Sequence, residues 1–126
     1  GFILNYTKSH RYISLEKAKE LTKINKGNTK YVGVLVEPTI EQLNQFSELN
    51  FDYFQLYGNF HPDELISIKD KFKKKIISSI QVKKKEDIDK YKLIEIGLFL
   101  SLSEKKIYLL FLLSNQIISQ LIPSDI

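Results

Sequence analysis

Gly1-Phe2-Ile3-Leu4-Asn5-Tyr6-Thr7-Lys8-Ser9-His10-Arg11-Tyr12-Ile13-Ser14 is the stretch whose reading decides the fold. It is a short apolar run, then a polar loop that holds the only arginine among 19 basic residues, then a serine. Leu15, Glu16, Lys17, Ala18, Lys19, Glu20 and Leu21 follow, so Ser14 reads as an N-cap with an acid in the first turn of a helix. Gly27 and Asn28 close the unit. The succession repeats along the chain, with apolar runs at residues 1–5, 31–36, 53–57, 76–80 and 96–102 and amphipathic stretches between them. This is the strand-helix alternation of a parallel sheet.

Each helix carries its own start signal. Thr39 with Gln42 three residues on fits a capping box after the loop marked by Pro38, and Leu43, Phe46 and Leu49 supply one apolar stripe. His61-Pro62-Asp63-Glu64 reads as a cap, a proline at the first helical position and acids at the positive end of the dipole. Leu65, Ile68 and Phe72 form the core face of that helix. A fourth, short and polar helix is expected near residues 84–92, anchored by Ile88 and Tyr91, with Lys83-Lys84-Lys85 as its solvated start.

Composition narrows the classes. With 43% hydrophobic and 27% charged residues the chain can bury a core and is not a disordered or fibrous sequence. The net charge of +4 is carried by scattered lysines without a basic stripe interleaved with aromatics, which argues against a nucleic-acid partner. There is no cysteine, so disulfides, zinc-thiolate sites and thiol nucleophiles are excluded within these residues. No apolar run approaches the ~18 residues of a membrane span, so no membrane partner is expected. The Gly1-Phe2-Ile3-Leu4 start is neither a Met start nor a signal peptide, and the chain reads as the middle of something longer.

Strand starts lie about twenty to thirty residues apart, room for one helix and two tight loops each time. Two architectures use such units. An open, doubly wound sheet of five strands would be complete at this length, whereas an eight-stranded barrel needs at least about 200 residues. Length favours the open sheet. Against it, the first strand lacks a glycine-rich phosphate turn, and strand-end acids do not cluster.

Sequence blocks in order break the tie. Gly1-Phe2-Ile3, then Lys8, Ser9, Arg11, Tyr12, Ile13 and Ser14, then Val32, Gly33, Val34 and Val36, then Gln55, Leu56 and Gly58 resemble phosphoribosylanthranilate isomerase over roughly residues 1–100. In that family the first block is a Gly-Phe strand followed by Lys-Ser-Pro-Arg-Tyr-Ile-Ser, and His10 stands at the proline. The second signature is Gln-Leu-His-Gly, and Tyr57 stands at the histidine.

The resemblance implies an α/β fold, a partial TIM (β/α)8 barrel with strands two to six of eight in residues 1–102. It also implies a cytoplasmic enzyme of tryptophan biosynthesis, acting on a small phosphorylated substrate by an Amadori rearrangement without metal or organic cofactor. One group protonates the ribose ring oxygen and another removes the C2′ proton at the C-terminal mouth of the barrel. The family's base is a cysteine at the end of strand one, which falls before Gly1. Its acid is an aspartate in a Leu-Phe-Asp-Ser segment, read here as Leu98-Phe99-Leu100-Ser101, so no catalytic residue is assigned and the 126 residues are expected to be inactive alone.

Two substrate-binding residues are carried over. Arg11 matches the arginine that holds the anthranilate carboxylate, for which a planar guanidinium offers two parallel hydrogen bonds. Gln55 lies on a buried strand where its amide needs partners, as a pocket-lining or a purely structural barrel-interior residue. Glu37 reads as a solvated loop carboxylate and His61 as a helix-end residue.

Beyond residue 102 the family pattern stops. Ile107-Tyr108-Leu109-Leu110-Phe111-Leu112-Leu113, with Ile117, Ile118, Leu121 and Ile122, reads either as a buried helix or as an out-of-frame tail over 103–126, the latter favoured because the loss of register coincides with Leu100. The phosphate-binding loops that such barrels place after strands seven and eight are missing. Uncovered strand edges predict self-association. The competing readings are a small non-catalytic α/β binding or regulatory module and a lysine-rich nucleic-acid binder.

Overall fold

The computed structural model describes residues 1–82, 86, 97–102 and 107–110, with side chains through Ser79 and at Glu86. Apart from Glu86, which is helical, the expected fourth helix with Ile88 and Tyr91 lies outside the described residues, as do residues 111–126 of the apolar tail.

Local signals start and stop the helices where the sequence places them. In α1, Leu15–Thr22, the Ser14 hydroxyl accepts from Lys17 N–H. In α2, Ile40–Ser47, Thr39 and Gln42 complete the reciprocal capping box. In α3, Pro62–Phe72, the His61 ring accepts from Asp63 N–H and the Glu64 carboxylate accepts from His61 N–H, while Lys73 ends the helix in the left-handed conformation at φ 54°.

The strands are β1 (Phe2–Ile3), β2 (Val32–Val36), β3 (Tyr53–Tyr57), β4 (Lys75–Val82), β5 (Gly97–Leu102) and β6 (Ile107–Leu110). They form one sheet in chain order, β1-β2-β3-β4-β5-β6, parallel from β1 to β5. Alternation then decides where the helices go. Gly33, Leu35, Phe54, Leu56 and Ile76 occupy alternate, register-matched positions, and all but the glycine belong to one buried cluster with Ala18 of α1, Leu43 and Phe46 of α2, and Leu65, Ile68 and Phe72 of α3. All three helices therefore cover the same face. A doubly wound sheet reverses its strand order and carries helices on both faces, so sequential order with one-sided helices rejects the open-sheet alternative and matches a barrel segment. Ile3, Val34, Gln55 and Ile77, also in register, line the opposite, barrel-interior face.

β6 departs from the barrel plan by pairing with β5 antiparallel, Leu98 opposite Leu110 and Ser101 opposite Ile107. Only residues 103–106 separate the two strands, and a parallel return requires a crossover of a dozen or more residues. A hairpin is the arrangement that this spacing permits. It corrects the buried-helix reading of the tail for Ile107–Leu110, which is strand.

The N-terminal end of the sheet is held by Asp52. Its carboxylate accepts from Tyr31 N–H at 2.7 Å and from the Lys26 ammonium, and it lies 3.8 Å from Lys30 Nζ. Phe2 meets Tyr31 and Phe51 edge-on beside it, at 5.3 and 5.8 Å between ring centres. Lys74 Nζ donates to the carbonyls of Leu49 at 2.9 Å and Phe51 at 3.0 Å, and burial pushes its ammonium down. For Asp52, burial pushes the carboxyl up, but the Lys26 and Tyr31 hydrogen bonds and the neighbouring lysine charges outweigh it and hold the group below its ordinary range.

A carboxyl whose folded value is depressed stabilises the fold above its unfolded value of about 4, and that stability is lost as pH falls through the folded value. Asp52→Asn is expected to lower the unfolding free energy by about 1 kcal/mol at pH 7. In denaturant titrations the gap between the two proteins should narrow progressively as the pH is lowered below about 4.

Candidate substrate-binding mouth

Parallel strands bring their C-terminal ends, and the loops that follow them, to one edge of the sheet. Arg11 arrives there on the loop after β1. It is exposed, its backbone N–H donates to Ser9 Oγ at 3.2 Å, and its guanidinium makes no hydrogen bond or ion pair with another described residue. The loop is tied at its return: Ile13 N–H donates to Ile3 C=O at 3.0 Å, with Tyr12 bridged to Ile3. Successive strand residues direct their backbone groups to alternate sides, and Leu4 N–H bonds to Val34 C=O of β2. Ile3 C=O therefore points away from β2, and the loop covers part of the outer edge of β1. That covering trims the expectation of a fully uncovered edge.

Gln55 sits on the interior face of β3, half-buried, and its Nε2 donates to the Tyr57 hydroxyl at 3.0 Å. The two side chains share a face because they are two residues apart on a strand. Tyr57, the last residue of β3, is thus brought beside Gln55 on the same face. Arg11 lies on the loop beyond the C-terminal end of β1, whereas Gln55 stands at the middle of β3, and no hydrogen bond joins them.

The loops after β2 and β3 interlock. Glu37 is exposed with φ 40°, an unusual conformation for a residue with a Cβ, and its N–H donates to Tyr57 C=O at 2.7 Å. Gly58 follows at φ 149°, and a Cβ there would lie 2.9 Å from the Phe60 ring and 3.0 Å from Glu37 Cγ. The Gln55-Leu56-Tyr57-Gly58 block therefore ends in glycine for a backbone reason. Glu37 remains a solvated carboxylate. His61 serves as the N-cap of α3, its ring accepting from Asp63 N–H at 3.3 Å.

Asn5 is the residue that sequence reading passed over. Its Oδ1 accepts from Val36 N–H at 2.8 Å, and its Nδ2 donates to Val36 C=O at 2.8 Å and to Gln42 Oε1 at 3.1 Å. The one available signal was a lone amide closing the apolar run of β1. Leu100 lies opposite Ile80 in the β4-β5 register. Among the described residues no three His, Cys, Asp or Glu side chains are grouped to hold a metal ion, and no helix is long and apolar enough to cross a membrane.

Comparison with known proteins agrees with this arrangement. The family model described as N-(5'-phosphoribosyl)anthranilate isomerase matches residues 2–103. The N-(5'-phosphoribosyl)anthranilate isomerase of Sulfurihydrogenibium sp. is 35% identical over 91 residues, covering 71% of this chain and 42% of its own. The one from Thermoanaerobacter pseudethanolicus is 34% identical over 101 residues, covering 79% and 47%. The chain thus spans less than half the length of these curated relatives. In structure it resembles a monomeric form of the Thermotoga maritima isomerase with a TM-score of 0.63 at 22% identity, over 82% of this chain and 53% of that one. It also resembles an isomerase in complex with reduced 1-(o-carboxyphenylamino)-1-deoxyribulose 5-phosphate, with a TM-score of 0.61 at 24% identity. These structural likenesses speak for the fold, and the sequence match over 2–103 speaks for descent. The chain belongs to the N-(5'-phosphoribosyl)anthranilate isomerase family.

Proposed function

We propose that residues 1–102 are the substrate-gripping part of a phosphoribosylanthranilate isomerase of cytoplasmic tryptophan biosynthesis, and that residues 103–126 depart from that enzyme. The observation that carries the reading is the family match over 2–103 together with Arg11 at the C-terminal mouth, its guanidinium unengaged by other described residues. In this reading Arg11 takes the anthranilate carboxylate in a bidentate pair, and Gln55 with Tyr57 lines the wall beneath it. The structural neighbour whose ligand carries a carboxyphenylamino group and a sugar phosphate supports a ligand of that chemistry.

The rearrangement opens the ribose ring to an iminium as an acid delivers a proton to its oxygen, and a base then removes the C2′ proton to give an enolamine, which takes a proton at C1′ to become the aminoketose. Nothing in the 126 residues matches either group: there is no cysteine, and Leu100 cannot donate a proton. The chain alone is therefore inactive, and the end of its family match at residue 103, four residues before the antiparallel β6, supports a boundary near 102. The edge of β6 that no described strand pairs with and the half-buried interior face of β2 and β3 favour self-association.

Three outcomes are expected. Purified chain should show no turnover of phosphoribosylanthranilate above buffer, and measurable turnover overturns the assignment of inactivity. Arg11→Ala should weaken binding of an anthranilate-type carboxylate by about tenfold, the scale of one charged hydrogen-bond pair, and an unchanged affinity in an NMR titration removes Arg11 from the site. In sedimentation the chain should form dimers or larger species, whereas a single monomeric boundary at ~100 μM removes the self-association proposal.

A further inference from the structure

The loop that carries Arg11 stands on two hydrogen-bonded feet. At its return, Ile13 N–H is fastened to Ile3 C=O at 3.0 Å. At its departure stands Asn5. One residue of β2, Val36, has both its N–H and its C=O bonded to the Asn5 amide, each at 2.8 Å. In a parallel ladder two successive peptide groups of the neighbouring strand would make those bonds. The side chain of Asn5 stands in for a strand that has already ended. The ladder reaches the tip of β2 while the backbone is released after Leu4 to form the loop.

The remaining amide proton extends the connection. Asn5 Nδ2 also donates to Gln42 Oε1 at 3.1 Å, the same oxygen that accepts from Thr39 N–H at 3.1 Å in the α2 capping box. One side chain thus ties the start of the Arg11 loop to the end of β2 and to the N-terminus of α2. Between the feet the loop is braced by its own backbone: Ser9 N–H donates to Tyr6 C=O, Tyr12 N–H to Ser9 C=O, each at 3.1 Å, and Arg11 N–H to Ser9 Oγ. The backbone under Arg11 is held from both ends, although the guanidinium itself is untethered among the described residues.

We propose that Asn5 is a positioning residue: by replacing a length of strand with one amide, it sets where Arg11 stands over the mouth and thereby the preference for a ligand bearing an aromatic carboxylate. The inference rests on the reading of Arg11 as the carboxylate receptor. The chemistry asks for an amide. Aspartate has the same shape but no N–H to give to Val36 C=O or Gln42, and leucine has the shape with neither donor nor acceptor.

The test uses the full 126-residue chain with two probes, N-methylanthranilate and N-methylaniline, which differ only by the carboxylate. NMR titration of the unsubstituted chain should favour the carboxylate compound by about tenfold, and Arg11→Ala should erase that preference. Asn5→Asp and Asn5→Leu should each reduce it to within about twofold, a ratio that a mere loss of stability would leave unchanged. Trypsin gives a second readout without ligand: cleavage after Lys8 and Arg11 should accelerate in the Asn5 variants, while cleavage after Lys71 in α3 keeps its rate. If the Asn5 variants retain the preference while Arg11→Ala loses it, the inference falls and the Arg11 reading stands. If Arg11→Ala retains the preference, or the unsubstituted chain shows none, the Arg11 reading fails and takes the inference with it. Equal acceleration of cleavage in the loop and in α3 also overturns the inference, because Asn5 would then be holding the whole fold.

Discussion

Gly33, Leu35, Phe54, Leu56 and Ile76 all turn to the same side of the sheet, and the rest of the structure depends on where that side faces. Three amphipathic helices compete for one apolar face, and each strand offers it only at alternate residues. Because α1, α2 and α3 all land there, β2, β3 and β4 are each laid down beside the previous strand, and the order follows the chain. Gly33 lets this happen tightly: a Cβ there would come within 2.9 Å of Leu4 and 3.3 Å of Phe54. The plan breaks only where the chain runs short. After β5 the spacing is too small for a crossover, and β6 doubles back as a hairpin.

The two ends of the sheet are built for different work. At the N-terminal end, Asp52 gathers Lys26, Lys30 and Tyr31 N–H while Lys74 occupies the nearby carbonyls of Leu49 and Phe51, with packed aromatic rings beside them. Short strands there are closed by charge and ring contacts, which is what the stabilising end of a barrel requires. At the C-terminal end the contacts are mostly backbone to backbone or amide to backbone: Asn5 on Val36, Glu37 N–H on Tyr57 C=O, Ile13 on Ile3. Those bonds shape loops without occupying the side chains that face the mouth. Arg11 is left exposed for that reason, and Glu37 adopts its unusual backbone where the loops after β2 and β3 meet.

Some of this was legible from residue types in a row. Ser14, Thr39 and His61-Pro62 announce helix starts because capping is chemistry between residues two or three apart, and all three caps formed as their sequence suggests. Leu43, Phe46, Leu65, Ile68 and Phe72 announce buried faces because helical spacing is local as well. Gly58 stood out within a four-residue block, and its φ explains it. Asn5 carried no such mark. Its partners are 31 and 37 residues away, and nothing near it in the chain distinguishes an amide that replaces a strand from one that faces water. Lys26 and Asp52 escaped for the same reason, being 26 residues apart.

The sequence by itself determined the alternation of strands and helices, the caps, the apolar stripes and the family blocks around Arg11 and Gln55, since each arises from interactions within a few residues or from direct likeness. Apart from the family likeness, which implied a barrel, the pattern of residues left open whether the helices would cover one face or two, because period-two alternation in a strand does not say which side its neighbours will use. Tertiary structure decided that, by packing Ala18, Leu43, Phe46 and Leu65 into one cluster with Leu35 and Leu56. It also decided that Asn5 would hold Val36, 31 residues away, since hydrogen bonds between distant segments exist only once the sheet has brought them within about 3 Å of each other.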